Sequence, residues 1–318
     1  MSRYRRELSV AAAYAILLIV LAVVAPRFYR GDQFRSIIVA STPILVAAIG
    51  MTLVILARQI DISIGSQLSL CGIVAGLLAK TGLPMPLVAL GTVVLGAILG
   101  AANGAFVAGL GLPSIVVTLA TMVILREGLR WWREGEFVRN LPAGFQWFGL
   151  GQDAGQWLVV LLGAVAFVAF AWSLKNVAAG RAVYATGSDP EAAFLAGIQP
   201  RRVTFCVFVA MGGLIGLAAV LNSVRFAAVD PTAGTGLELA VIAAVVVGGV
   251  AIPGGRGTLI GPLLGVLLLT TIRPALVFLG AEAHWEKAIQ GGIILVAVAA
   301  DAFRLKWRAH VGAHPGNH

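Results

Sequence analysis

Tyr184-Ala185-Thr186-Gly187-Ser188-Asp189-Pro190-Glu191-Ala192-Ala193-Phe194-Leu195-Ala196-Gly197-Ile198 lies between long apolar blocks, yet it reads as a short polar helix. Asp189 supplies an N-cap acceptor, Pro190 a first helical residue with no amide to satisfy, and Glu191 an acid against the positive end of the helix dipole. Gly197 supplies the stop. A helix of about two turns is marginal alone in water, because nucleation costs more than a few backbone bonds return. The segment holding Gly187, Ser188, Asp189, Pro190, Glu191, Ala192, Ala193, Phe194 and Gly197 is therefore expected to be ordered by docking on a partner outside the membrane rather than to be a plain connecting turn.

The blocks on either side set the class. With 59% hydrophobic and 12% charged residues and a mean hydropathy of +0.94, the chain lies far from the roughly 45–50% apolar, 25% charged composition of soluble domains. It reads as an all-α integral membrane protein, with 1–318 as a single transmembrane domain. Ten spans are expected, at about 10–26, 36–57, 63–80, 86–110, 114–130, 157–174, 203–222, 238–252, 259–279 and 286–303. The first follows Arg3, Arg5 and Arg6 as a signal peptide would, but no small-residue cleavage site comes after it and further spans do, so it is read as a membrane helix. An even count puts both termini on one side. About half of the 23 Lys and Arg fall on each side, so the positive-inside rule decides little; the clustering of basic residues in the N-terminal tail, 175–202 and the 304–318 tail favours cytoplasmic termini. The net charge of +9 is scattered over short loops and both ends, which suits membrane flanks and not a nucleic-acid face.

Two connections are long. Residues 131–156 mix Trp131, Trp132 and, at their border, Trp157 with charge, as an interfacial or external cap would, and 175–202 carries the short helix. Two spans are broken. Leu239 to Val250 covers only about 18 Å of helix before Pro253-Gly254-Gly255-Arg256-Gly257, and Arg58-Gln59-Ile60-Asp61-Ile62-Ser63-Ile64-Gly65-Ser66 interrupts another with charge. Interrupted spans are tolerated where neighbours or a water-filled cavity satisfy the freed backbone, and they point to transport; their recurrence hints at an internal duplication. Gly96, Gly100 and Gly104, and again Gly257, Gly261 and Gly265, repeat every four residues, a pattern for close helix packing and not for substrate contact.

Among polar groups at membrane depth, Asp61, Ser63 and Asn103 are the candidates for a translocation pathway. Asp61 is expected to pair with Arg58 three residues earlier, and Asn103 to serve equally as packing glue. Glu127 and Arg126 fall near the end of the fifth span. No lysine follows a glycine as a Walker loop requires, so no ATP site of that type is present. His310, His314 and His318 are spaced four apart, but Pro315 and Gly316 break any helix there, and no metal site is expected. Cys71 and Cys206 sit in apolar runs as soft hydrophobes. No Ser/His/Asp set or paired carboxylates suggest catalysis.

Three motifs in order, Ile60 to Ser66, Tyr184 to Ile198, and Gly236-Leu237-Glu238-Leu239-Ala240-Val241-Ile242-Ala243-Ala244-Val245-Val246-Val247-Gly248-Gly249 followed by Gly254-Gly255-Arg256-Gly257, make the chain resemble the permease subunit of a bacterial ribose-type sugar ABC importer over nearly its whole length. The resemblance implies a helical bundle in the inner membrane that pairs with a second permease copy or a similar chain. It implies two ATPase subunits that bind ATP and Mg in place of any cofactor on this chain, and a periplasmic solute-binding protein. Asp189 to Gly197 would then be the coupling helix. Ala57-Arg58-Gln59 departs from the Thr-Gly-Gly of many relatives, and an arginine there is similar to the autoinducer- and rhamnose-type branch; Phe194 replaces an arginine common in the coupling segment. A deoxyhexose such as rhamnose, or the sugar-like autoinducer, is the expected solute. The competing reading is an ion-gradient-driven transporter using Asp61 and Glu127, which would leave the coupling segment without a job; a membrane scaffold that transports nothing fits broken spans less well.

Overall fold

A computed structural model describes residues 5–29, 32–280, 282, 285–293 and 295. It is helical throughout: α1 (Arg5–Val24), α2 (Gln33–Leu56), α3 (Ile64–Lys80), α4 (Met85–Gly104), α5 (Ser114–Arg133), α6 (Gln152–Asn176), α7 (Ala178–Ser188), α8 (Pro190–Leu195), α9 (Pro200–Ser223), α10 (Leu237–Val247), α11 (Ile260–Phe278) and α12 (285–293). Among the described residues there is no strand, only an isolated antiparallel bridge between Val138 and Val229.

Six helices are long and apolar enough to cross a membrane, so ten full-length spans are not what the described residues display. The others fall short for separate reasons. α3, at 17 residues, and α10, at 11, follow breaks, and α5 carries Arg126, Glu127, Arg130 and Arg133. Half of the expected tenth span, 286–303, lies outside the described residues, as do His310, His314 and His318. α1 begins earlier than expected and takes Glu7 into its first turn. α5 extends through Trp131 and Trp132 and α6 begins at Gln152, which trims the first long connection to 134–151. That connection is anchored by the Val138–Val229 bridge and by the Trp147 amide donating to the Val224 carbonyl at 2.8 Å.

α2 and α9 form the centre, with α2 buried over most of its length. The tightest pair is α4 with α9, and glycine explains it. A Cβ on Gly96 or Gly100 would overlap the Gly212 or Phe208 carbonyl, and one on Gly212 or Gly216 would overlap the Gly96 or Thr92 carbonyl. Both glycine repeats are thus packing devices: Gly261 and Gly265 meet Gly248 and the Ala244 carbonyl in the α10–α11 pair in the same way. Cys71 is buried, Cys206 is exposed, and both are free thiols.

The two ends of the bundle differ. At one end, Phe28 packs edge-to-face on Tyr29, Phe34 and Phe278, with ring centroids 5.5–5.7 Å apart. At the other lie the end of α2, the short helices α7 and α8, and the glycine-rich turn between α10 and α11.

The α4–α9 contact generates a prediction. Gly212→Val forces branched carbon into a backbone contact and is expected to destabilise the protein by about 1–3 kcal/mol, read as a lower melting temperature in detergent. Gly213→Ala, one residue on, places its Cβ 3.8 Å from the nearest neighbour, Ala97, and is expected to melt with the native protein.

Candidate functional site

α2 ends in a two-bond closure. The Gln59 amide donates to the Val54 carbonyl at 3.0 Å and the Arg58 amide to the Ile55 carbonyl at 2.9 Å, with Arg58 itself in the left-handed region at φ 63°. This is the glycine position of the motif. It turns the Arg58 side chain outward, over Gly254, and away from Asp61. The expected Arg58–Asp61 pair is therefore absent.

Asp61 points inward instead. Asp61, Ser63 and Gln67 are fully buried and Asn103 is 1% exposed. Asp61 accepts from the Ser63 amide at 2.9 Å, from the Ser63 hydroxyl, and from Gln67 Nε2 at 3.5 Å. Ser63 Oγ accepts from Gln67 Nε2 at 2.7 Å and from Asn103 Nδ2 at 2.9 Å, and Asn103 Oδ1 accepts from Thr121 at 2.7 Å. The three pathway candidates read from the sequence thus form one network, centred on Ser63, that joins the α2–α3 break to α4 and α5.

The backbone of the break is satisfied by the same neighbours. The Ile60 amide donates to Ser114 Oγ at 3.3 Å and the Ile62 amide to Thr118 Oγ1 at 3.1 Å. Ser66 Oγ donates to the Met122 carbonyl at 2.9 Å. α5 therefore presents Ser114, Thr118 and Thr121, all on its inner side, to a chain with no helix partner of its own. Asn103 is followed by a wide π turn at Ala105–Gly109, a distortion that recurs at functional sites. Gln67 Oε1 is buried and has no partner.

Sequence reasoning missed the ion pair above this network. Arg126 Nη2 lies 3.2 Å from Glu238 Oε1 and joins α5 to the first turn of α10, while exposed Glu127 pairs with Arg130 at 3.5 Å. The available signal was an acid opening an otherwise wholly apolar 11-residue helix. Glu238 stands beside Gly65 and Gly234, whose backbones cross so closely that neither has room for a Cβ.

α8 forms as its sequence dictates. Asp189 Oδ1 accepts from the Glu191 and Ala192 amides at 2.9 and 3.1 Å, Pro190 is the first helical residue, and Gly197 ends the turn at φ 83°. Ala193 is buried against the bundle, while Phe194 and Leu195 are 65% and 86% exposed. The preceding residues, unexpectedly, are a helix of their own, α7. Its Gly187 fits between the Leu56 carbonyl and the Gly255 amide, where a Cβ would overlap both. The Gly255 amide donates to the Leu56 carbonyl at 2.9 Å, and Tyr184 donates to the Gly257 carbonyl at 2.8 Å. Three segments thus meet beside α8 with hardly a side chain between them. Thr258 donates to Glu7, tying α1 to the same turn. Gly254 to Thr258 belongs to a tight glycine-rich turn, with positive φ at Gly254, Gly255 and Gly257.

Among the described residues no cluster of His, Cys, Asp and Glu could hold a metal ion. The chemistry here is hydrogen bonding and helix breaking.

A family model described as "Branched-chain amino acid transport system / permease component" matches residues 33–298. The autoinducer 2 import system permease protein LsrC of Salmonella typhi is 33% identical over 300 residues, covering 93% of this chain and 85% of that protein. LsrC of Escherichia coli (strain K12 / DH10B) is 36% identical over 296 residues, covering 90% and 85%. No solved structure matches the chain.

Ser63→Ala removes the acceptor shared by Gln67 and Asn103 and leaves buried donors unpaired, at a cost of about 1–3 kcal/mol, so the purified protein is expected to melt earlier. Asp61→Asn keeps one oxygen acceptor and is expected to change transport more than expression. Equal loss of both in a paired uptake and membrane-abundance assay would make Asp61 a structural residue.

Proposed function

This chain belongs to the family of branched-chain amino acid transport system permease components, and we propose that it is the membrane-spanning subunit of an ATP-driven importer for a sugar-like solute, autoinducer 2 or a deoxyhexose such as rhamnose. As a member of that family it is a transport subunit, not an enzyme. The observation that carries the solute class is 33–36% identity to autoinducer 2 import permeases over nine-tenths of the chain.

In this reading the bundle is a single transmembrane domain of ten spans in the bacterial inner membrane, some of them interrupted, with both termini cytoplasmic. It pairs with a second permease, receives solute from a periplasmic binding protein, and sits on two ATPase subunits that hold ATP and Mg. α8 is the coupling helix. Two things support that role. It projects its exposed Phe194 and Leu195 from one end of the bundle, giving a partner an apolar grip. It is also joined, through α7, to the end of α2 and to the turn between α10 and α11. A push on α8 therefore bears directly on both interrupted regions. The Asp61, Ser63 and Asn103 network, one step further along the chain from Leu56, is the element of the pathway that such a push would rearrange.

Glu191→Arg tests the coupling role. It places a cation at a helix N-terminus, where like charge is unfavourable by about 0.3–1 kcal/mol, on an exposed surface. The expected result is a folded permease that no longer recovers an ATP-hydrolysing subunit in a gentle detergent pull-down from native membranes, where the native chain does. Equal recovery by both would remove α8 from the interface. No ATPase recovered by the native chain would bring gradient-driven transport forward.

A further inference from the structure

A cavity of about 500 Å³ lies between α2, α3, α10, α11 and α12, with the end of α9 and the connection after it completing its wall. That volume is within the roughly 300–1,000 Å³ of small-molecule sites. It belongs to neither the Asp61 network nor the α8 junction, and α10 separates it from the Arg126–Glu238 pair. Its wall along α2 runs from Gln33 to Ile44, about 16 Å of helix, or roughly half the length of α2. Its polar lining residues Gln33 and Ser36 are in the first turn of α2, at the end of the bundle opposite Leu56 and α8.

The lining is graded. The floor is aliphatic, formed by Leu68, Ala240, Ala244, Val266 and Leu269, with no aromatic ring. The rim carries Gln33, Ser36, Asn222, Arg225, Arg273 and Glu286. Two prolines stand in the walls, Pro43 in α2 and Pro274 in α11. A proline cannot donate to the carbonyl four residues back, so the Thr270 carbonyl loses its helical partner at a residue that lines the chamber. Across the rim, Arg273 Nε meets Glu286 Oε2 at 3.5 Å and joins α11 to α12. Gln290 Nε2 donates to the other Glu286 oxygen at 3.2 Å.

We propose that this chamber is a holding site for a compact, uncharged polyhydroxylated solute inside the permease protomer, entered from the side opposite α8 and closed by the Arg273–Glu286 pair. The inference rests on the permease reading and adds to it a place and a chemical class. Amide, hydroxyl and guanidinium groups at one end suit hydroxyls, and aliphatic carbon at the other suits the C–H face of a small ring. Two guanidiniums against one carboxylate exclude a cationic solute. Both oxygens of Glu286 are engaged, one by Arg273 and one by Gln290, so the ammonium group of a zwitterionic amino acid would have to compete with a guanidinium for that carboxylate. The Arg273 side chain is 68% exposed, so its pair with Glu286 is weak enough to open.

The test uses the full transporter in intact cells, with Cys71→Ala and Cys206→Ser as background and a single cysteine placed by Thr270→Cys or, at the rim, Ser36→Cys. Both cysteines are expected to react with a membrane-impermeant methanethiosulfonate. Autoinducer 2 or rhamnose is expected to slow the Thr270→Cys reaction about tenfold, a difference of about 1.4 kcal/mol, and leucine to leave it unchanged. Labelling of Ser36→Cys but not Thr270→Cys would mean a sealed void and overturn the proposal. So would labelling of both that no hydroxylated probe slows, or protection by leucine alone. ATPase recovery is scored on the same samples. Its presence with any of these failures leaves the permease reading standing, and its absence counts against that reading whatever the labelling.

Discussion

Lipid offers no hydrogen bonds, so every interruption of a helix inside this bundle has to be satisfied by another part of the chain. Much of the architecture follows from that requirement. The break after Leu56 frees amides at Ile60, Ile62 and Ser63, and the hydroxyls of Ser114 and Thr118 and the carboxylate of Asp61 accept them. That obligation holds α5 against α3 although α5 is too polar to be a good membrane helix. It also explains why Asn103 is at the end of α4, where it links Ser63 to Thr121. A further non-helical stretch, before α10, is met differently. Gly234 lies backbone-to-backbone on Gly65, and its amide donates to Ser69 Oγ at 2.9 Å. The two breaks close on each other.

Much of this was legible in the sequence because it depends on local rules. Apolar blocks announce membrane helices; Asp-Pro-Glu followed by a glycine announces a short capped helix; a charge and two small residues inside an apolar run announce a break. The errors were of another kind. The Asp61–Arg58 pair is reasonable on helical spacing, but the chain at Arg58 is not helical. A left-handed residue sends its side chain to the opposite side, and no spacing rule anticipates that without the closure of α2. The Arg126–Glu238 contact joins residues 112 positions apart, and the cavity is bounded by helices from both ends of the chain. Long-range proximity of this sort leaves no periodic trace. The helical character of α7 was hidden by Gly180, Gly187 and Ser188, poor helix formers whose smallness serves contacts with other segments.

The glycines of the α8 junction have a mechanical meaning. Where Gly187, Leu56 and Gly255 meet, backbone touches backbone. Flexible side chains absorb displacement by changing rotamer, whereas peptide planes do not. A movement of α7 is therefore passed on nearly whole to α2 and to the α10–α11 turn. Positive φ is concentrated in one of the three segments, the glycine-rich turn, at Gly254, Gly255 and Gly257, against a single such residue, Arg58, at the end of α2. The junction is stiff where it receives force and compliant where the chain reverses.

The ion pair between Arg126 and Glu238 also bears on how the protein is made. Arg126 emerges from the ribosome long before its partner, on a helix that carries three further charged residues near its end. A guanidinium within a membrane span costs about 2.5–3.5 kcal/mol on insertion scales, and until α10 is synthesised nothing on α10 offsets it. At its other end α5 is held by Ser114 and Thr118, whose hydroxyls accept from the α2–α3 break. The Arg126 charge is matched by a helix from the last third of the chain, so the pair ties α5 to a partner that is synthesised more than a hundred residues later.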